Sequence, residues 1–498
     1  MRFYGTTFLL VSMGLAEPFA FGLDLQQAYQ EALIHDPSWS ATINRYQASL
    51  ELRNQARSAL LPNFSASASL GSNHINPSEP IPFIGLYNRT FTSKSYGIQG
   101  MQSLFNADAW HGYQQARALT SAASADFAQA QQKFILDIAT AYFNVLRARE
   151  NLVYAQAEEL AIGRQFAQTK KRFEVGMASI TEVHEAQAAS DTSSAERISA
   201  ETAVSSAEAE LGIHTGGEIT QLAILRPDAP VTDTPKDPES VWIQRAQQQN
   251  PVLRSARFAY QAAQEATRQK QSGYLPSLQL VGNWQDMNTG GASPLQDGKN
   301  SAIALQLSVP LYAGGLTHSQ VRQSLANEYA AQDQLDFQHR QVTQDIHIHY
   351  LQVNRDAAQV NARQQALASS QSALQATEAG YDVGTRDIVE VMQAQKDLYA
   401  AKSAYANARY DYVLDGLRLK SSAGQLGNMD IVALNQWLDP QAHISVDTLN
   451  PEIQPLEKSF RVSHDVGGVG RTRETLEPVH DISLGARRLA HGVGQDEA

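Results

Sequence analysis

Two stretches of this 498-residue chain, Asn106 to Arg172 and Leu316 to Gly380, contain neither a proline nor a cluster of turn-forming residues. Proline removes a helix hydrogen bond and turn clusters end helices, so each stretch of about 65 residues is free to run as one α-helix of roughly 100 Å. A helix of that length cannot be wrapped inside a globular domain. Each stretch then runs into a version of one phrase, FEVGMAS from Phe173 and YDVGTRD from Tyr381, and helical pattern resumes from Ile180 to about Gly212 and from Ile388 to about Ser422. The phrase is therefore expected to be the turn of a helical hairpin, present once in each half, with Gly176 and Gly384 supplying a positive φ.

The duplication extends outward from the turns. The segment from His35 pairs with the segment from Gln249; Asp36-Pro37 and Asn250-Pro251 are each an N-cap followed by proline at the first helical position. Pro62 and Pro276 close those helices, and the hydrophobic period then switches to two. Phe64, Ala66, Ala68 and Leu70 alternate with serines, and Leu278, Leu280 and Trp284 alternate with Gln279, Asn283 and Gln285. Polar loops, 72–90 and 288–300, lead to a second strand in each half. The clearer one carries Ile303, Leu305, Leu307, Val309 and Leu311 on one face; its counterpart, around Tyr96 to Phe105, alternates poorly. Tyr142 and Tyr350 occupy matching places in the two long helices. The expected organisation is a first repeat over 23–238, a second over 239–438 with a short helix near Asp430 to Leu438, and a tail over 439–498 that is largely disordered.

The first 22 residues have an early charge at Arg2, an apolar run from Phe8 to Leu15 and small residues at Ala16, Ala20 and Gly22, the pattern of a secretory signal peptide cleaved after Ala16 or Gly22. Zero cysteines exclude a disulfide framework and any cysteine-based metal or redox site, and a net charge of −12 without a basic stripe argues against nucleic acid as a partner. No cofactor is expected. His347 and His349 fall on different helix faces, His184-Glu185 lacks the second histidine of a zincin, and VGGVGR from Val466 follows no strand, so catalysis has no candidate site.

Four strands with one apolar face match the length of membrane-spanning strands, yet the smallest membrane barrels need about eight, so the strands are expected to be pooled among several chains. At this point LLP and YLP, SVPLYAGG from Ser308, ATAYFNVL from Ala139 and EAGYDVGTRDIVEV from Glu378 carry a resemblance. From Leu23 to about Leu438 the chain resembles the TolC family of outer-membrane efflux proteins. The resemblance implies a mixed α and β fold used as a homotrimer. Long antiparallel helical hairpins would build a coiled-coil tunnel across the periplasm, and twelve pooled strands would form one transmembrane β-barrel in outer-membrane lipid. It also implies a periplasmic adaptor protein and an inner-membrane pump or secretion ATP-binding cassette transporter as partners.

In that family the hairpin tips close the periplasmic entrance. Carried over, Tyr381 is expected to face Gln165, and Arg386 to face Thr181 and Glu182, a neutral and a charge-assisted bond between neighbouring helices. A pair of acids that rings the family's entrance falls here on Glu390 and Gln393, of which only the first is charged. The corresponding places in the first repeat hold Glu182 and Glu185, so a cation-selective constriction of Glu182, Glu185 and Glu390 is expected. The competing expectation is an exported coiled-coil adaptor without a pore, which accounts for the hairpins and leaves the amphipathic strands unexplained.

Overall fold

The computed structural model describes residues 23–76, 88–219, 221–290 and 297–442. The expected signal peptide, residues 77–87 and 291–296 of the two polar loops and residues 443–498 of the tail lie outside them. Two helices, α1 (Leu25–His35) and α2 (Pro37–Ser58), precede the strands β1 (Asn63–Ile75) and β2 (Arg89–Phe105), then α3 (Ala107–Glu174) and α4 (Ile180–Thr215). After a short β3 (Ile224–Leu225) the order repeats with α5 (Glu239–Gln249), α6 (Pro251–Gln271), β4 (Ser277–Asn288), β5 (Gly298–Ser308), α7 (Leu316–Asp382) and α8 (Ile388–Ser422). Among the described residues no helix is long and apolar enough to cross a membrane.

The predicted long helices are 68 and 67 residues, beginning and ending within two residues of the expected positions. Asp36 and Asn250 each accept two backbone N–H groups at the start of α2 and α6, with proline next in line. Several boundaries differ from expectation: β1 runs on to Ile75 and β5 starts at Gly298, inside the expected loops. The strand β5 stops at Ser308, so Val309 and Leu311 follow it; Pro310 has no N–H for a ladder. In β2 the strand is 17 residues long and begins at Arg89. Near the C-terminal end the helix, α9 (Asn428–Asn435), is shorter than expected, because Leu438–Asp439 leaves it as β6 to pair with β3.

The four longer strands form one antiparallel sheet in the order β1-β2-β4-β5. Its register aligns Phe64, Gly100, Gly282 and Ile303 in one row, and Ala66, Ile98, Trp284 and Ser301 in the next row on that face. The intervening row, Ser65, Gln99, Asn283 and Ala302, points to the other side. One face is thus apolar and solvent-facing, with Phe64 76% and Ile303 82% exposed, while the other is largely polar. The ring of Phe64 covers Gly100 so closely that a Cβ there would stand 2.8 Å from it, which explains a glycine inside a strand. Among the described residues, β1 and β5 each have one unpaired edge.

Where the helices converge, the largest core joins α1, α3, α7, α8 and α9 to the segment around β3. Tyr142 is fully buried there, its hydroxyl 2.7 Å from the carbonyl of Ala223 and 3.1 Å from that of Leu23. Phe143 packs edge-on to it at 5.6 Å. Tyr350, its counterpart in the second half, is only half-buried at the margin of this core.

Between α7 and α8 two carboxyl groups, Asp356 and Asp415, are buried together, at 2% and 3% exposure. Arg355 bonds Asp356 at 2.6 Å and Arg418 bonds Asp415 at 2.6 Å. Burial first, and then the adjacent Asp415, push Asp356 up to about 6. A carboxyl raised above its unfolded value stabilises the fold while protonated, so this contribution is present below about pH 4 and lost as pH rises to about 6. Asp356→Asn, which mimics the protonated form, is expected to melt at or above the wild-type temperature at pH 8, with the difference shrinking towards pH 4. A variant that melts lower at every pH would mean the ionised pair is stabilising.

Candidate functional site

Both hairpin turns are built by one device. Gly176 has φ 78° and Gly384 φ 79°. Around them the Met177 N–H bonds the Arg172 carbonyl at 2.7 Å, and the Thr385 N–H bonds the Gly380 carbonyl at 2.8 Å, satisfying the orphan carbonyls of α3 and α7. A Cβ at a positive φ is strained, so glycine is required. The return helices are capped at once. Ser179 and Glu182 form a reciprocal capping box, and Asp387 accepts the Glu390 N–H at 2.8 Å. Glu182 and Glu390 therefore sit at equivalent places, the third residue of α4 and of α8, where the helix dipole favours a carboxylate.

The two turns, distant in sequence, meet at one end of the helices. Ile162 of α3, Ala186 of α4 and Ile388, Val391 and Met392 of α8 form a small core, against which Phe166, Ala189 and Tyr381 pack. Tyr381 is half-buried, with the Arg172 guanidinium 4.6 Å from its ring centre. Arg386 bonds Glu390 at 2.7 Å, one turn along α8. Both side chains are exposed, so this pair is worth about 0.3–0.5 kcal/mol and is readily exchanged for another partner.

The other residues singled out from the sequence lie around this core. Gln165 is half-buried on α3 and its backbone carbonyl accepts from Thr169 at 2.9 Å. Thr181 and Glu185 are exposed on α4. Gln393 is exposed on α8 and donates to Asp397 at 2.8 Å. Among the described residues no hydrogen bond within the chain joins Tyr381 to Gln165, or Arg386 to Thr181 or Glu182; Glu182 is engaged by Ser179 at 2.9 Å. Two partners went unread in the sequence. The Arg386–Glu390 spacing of four was visible, whereas Arg172 over Tyr381 depends on how α3 and α7 lie together.

The profile of the family described as outer membrane efflux protein matches residues 28–217 and 242–425, one block in each repeat. Outer membrane protein TolC of Vibrio cholerae is 35% identical over 439 residues, covering 86% of this chain and 97% of the relative. Outer membrane protein TolC of Escherichia coli is 36% identical over 441 residues, covering 86% and 88%. Alkaline protease secretion protein AprF of Pseudomonas aeruginosa is 27% identical over 428 residues, covering 84% and 88%. Among solved structures, the CusC channel superposes with a TM-score of 0.70 at 15% identity, over 80% of this chain and 92% of that one. The Campylobacter jejuni CmeC outer membrane channel gives 0.70 at 17% identity, over 83% and 90%.

Proposed function

The chain belongs to the outer membrane efflux protein family, and from that membership together with its own surfaces we propose how it works as an outer-membrane exit duct for efflux pumps and type I secretion. The single observation that carries the reading is the sheet: one apolar face turned to solvent, one polar face, and two open edges. In water such a face is a liability; in a bilayer it is the outside of a barrel, and open edges must pair because unpaired backbone groups cost several kcal/mol each in hydrocarbon. Four strands cannot close. Three copies supply twelve, each β5 edge pairing with a neighbour's β1 edge. The polar rows then line a channel that continues between the long helices into the periplasm. A pore-free adaptor has no use for that apolar face.

The meeting point of the two turns is the periplasmic entrance in this reading. Tyr381, Arg386, Gln165, Thr181 and Glu182 form its gate, with bonds running to the neighbouring chain's hairpins. Glu182, Glu185 and Glu390 supply the cation-selective constriction beside the neutral Gln393. Behind the entrance stand a periplasmic adaptor and an inner-membrane pump or secretion transporter, and the AprF relative's name adds secreted protein to the candidate cargo.

The natural absence of cysteine allows a clean test. Ser67→Cys on β1 and Ala304→Cys on β5, placed in one chain and treated with a short bifunctional maleimide, are expected to give covalent dimers and trimers in outer-membrane fractions. Each single-cysteine variant is expected to give no trimer. Monomer alone from the double variant would overturn edge pairing.

A further inference from the structure

On the long helix α3, two buried carboxyl groups lie two turns apart and are treated differently. Glu150 is satisfied by two phenols, Tyr410 at 2.7 Å and Tyr154 at 2.8 Å. Glu158, only 8% exposed, makes no hydrogen bond. Unlike Glu150, it has no partner within the described chain and turns to an open space where a positively charged group could reach it. It lines an open pocket of about 210 Å³ formed where α3, α4 and α8 meet, just beyond the small tip core. Ile162, Ala189, Val389 and Met392 give the pocket an apolar wall, and Thr192 and Ser193 stand on its polar side. Those hydroxyls donate to the carbonyls of Ala188 and Ser190 at 2.8 and 2.9 Å, which leaves their oxygen lone pairs available as acceptors.

The charges around Glu158 favour a cation. From α4 come Glu185 and Glu196; from α8 comes Lys396, whose ammonium is already held by Glu196 at 3.0 Å. Asp397, next along α8, is engaged by Gln393. Among the described residues no group of three metal-ligating side chains occurs, so a dehydrated divalent ion would lack donors. An apolar wall beside one buried carboxylate and two hydroxyl oxygens matches instead a charge with three N–H donors and a hydrocarbon body.

We propose that this pocket binds a small primary alkylammonium ion, its N–H groups on the Glu158 carboxylate and the Thr192 and Ser193 hydroxyl oxygens, its chain along Ile162 and Met392. The binding does not depend on the duct reading and is measured on purified protein. Burial, and then Glu196, push Glu158 up to about 7, while Lys396 opposes. Near neutral pH the incoming ammonium therefore displaces a proton: carboxylic acid and RNH3+ become a carboxylate–ammonium pair, and H+ leaves to solvent. Affinity then rises with pH through this range.

Hexylammonium chloride titrated calorimetrically into the full chain in nonionic detergent tests this, since the probe stays charged at both pH 6 and pH 8. Expected are a dissociation constant about tenfold lower at pH 8 than at pH 6, following a carboxyl near 7, and no detectable binding of hexanol. Glu158→Gln is expected to weaken binding at least tenfold at pH 8 and to abolish the pH dependence. Equal affinity in Glu158→Gln, equal binding of hexanol, or a loss caused by Glu390→Gln instead, which would put the cation in the entrance ring, each overturns the proposal. Should Glu158→Gln fail to assemble, the wild-type pH profile and the hexanol comparison decide by themselves.

Discussion

Tyr381→Phe combined with Arg386→Ser is expected to raise the single-channel conductance of the purified protein in planar bilayers several-fold. Tyr381→Phe keeps the ring that packs on the apolar tip core, and Arg386→Ser leaves Gly176 and Gly384 in place, so the hairpins keep their shape. What is lost is the Tyr381 hydroxyl and the Arg386 charge, each available to a neighbouring chain. Bonds of this partly exposed kind are worth about 1 kcal/mol apiece, so three copies of two would hold the proposed entrance closed by several kcal/mol. That is enough to bias a two-state gate strongly and small enough for a docking partner to reverse. The Arg386–Glu390 pair sharpens the expectation: Glu390, released from Arg386, becomes a free carboxylate at the proposed constriction, and cation preference should rise along with conductance. Equal conductance in the two proteins would reduce the echoed phrase to a turn.

Tyr142→Ala is the second large effect, on stability. The side chain is fully buried, it touches Phe143, and its hydroxyl ties the carbonyl of Ala223 in the segment before β3 to the fold, with that of Leu23 close by. Truncating a buried aromatic costs about 3–5 kcal/mol, to which a buried carbonyl left without its donor adds. Tyr350→Ala, at the matching place in the other half, should cost about 1 kcal/mol, because that ring lies at the core's edge. Urea unfolding of the two variants would separate them, and equal losses would mean the two repeats share the core evenly.

That asymmetry marks the limit of what the sequence discloses. Helices over 60 residues long were legible because proline, capping and glycine signals are local, and Asp36, Asn250, Gly176 and Gly384 each act within one turn of chain. The sheet was legible in part. Alternation is plain in β5, but β2 places Gly97 and Gly100 among its rows to make room for neighbours such as Phe64, so its pattern became readable only with the register. The tip core was out of reach for another reason: Ile162, Ala186 and Ile388 come from three helices, and no periodicity tells which helices lie side by side. Glu158 was hidden likewise, an ordinary helix glutamate until α4 and α8 close over it.

The identical construction of the two turns has a mechanical consequence. Each tip is locked by a left-handed glycine, a six-residue backbone bond and a capped return helix, so it does not open by unravelling. Opening of the proposed entrance would then come from swinging a whole hairpin about the packed level of Tyr142. From there to Gly176 the helix acts as a lever of about 50 Å, at 1.5 Å per residue. A tilt of about 10° at that level would carry the tip sideways by about 9 Å, the width of a helix, so in the proposed gate a modest push high on the bundle would be amplified at its end.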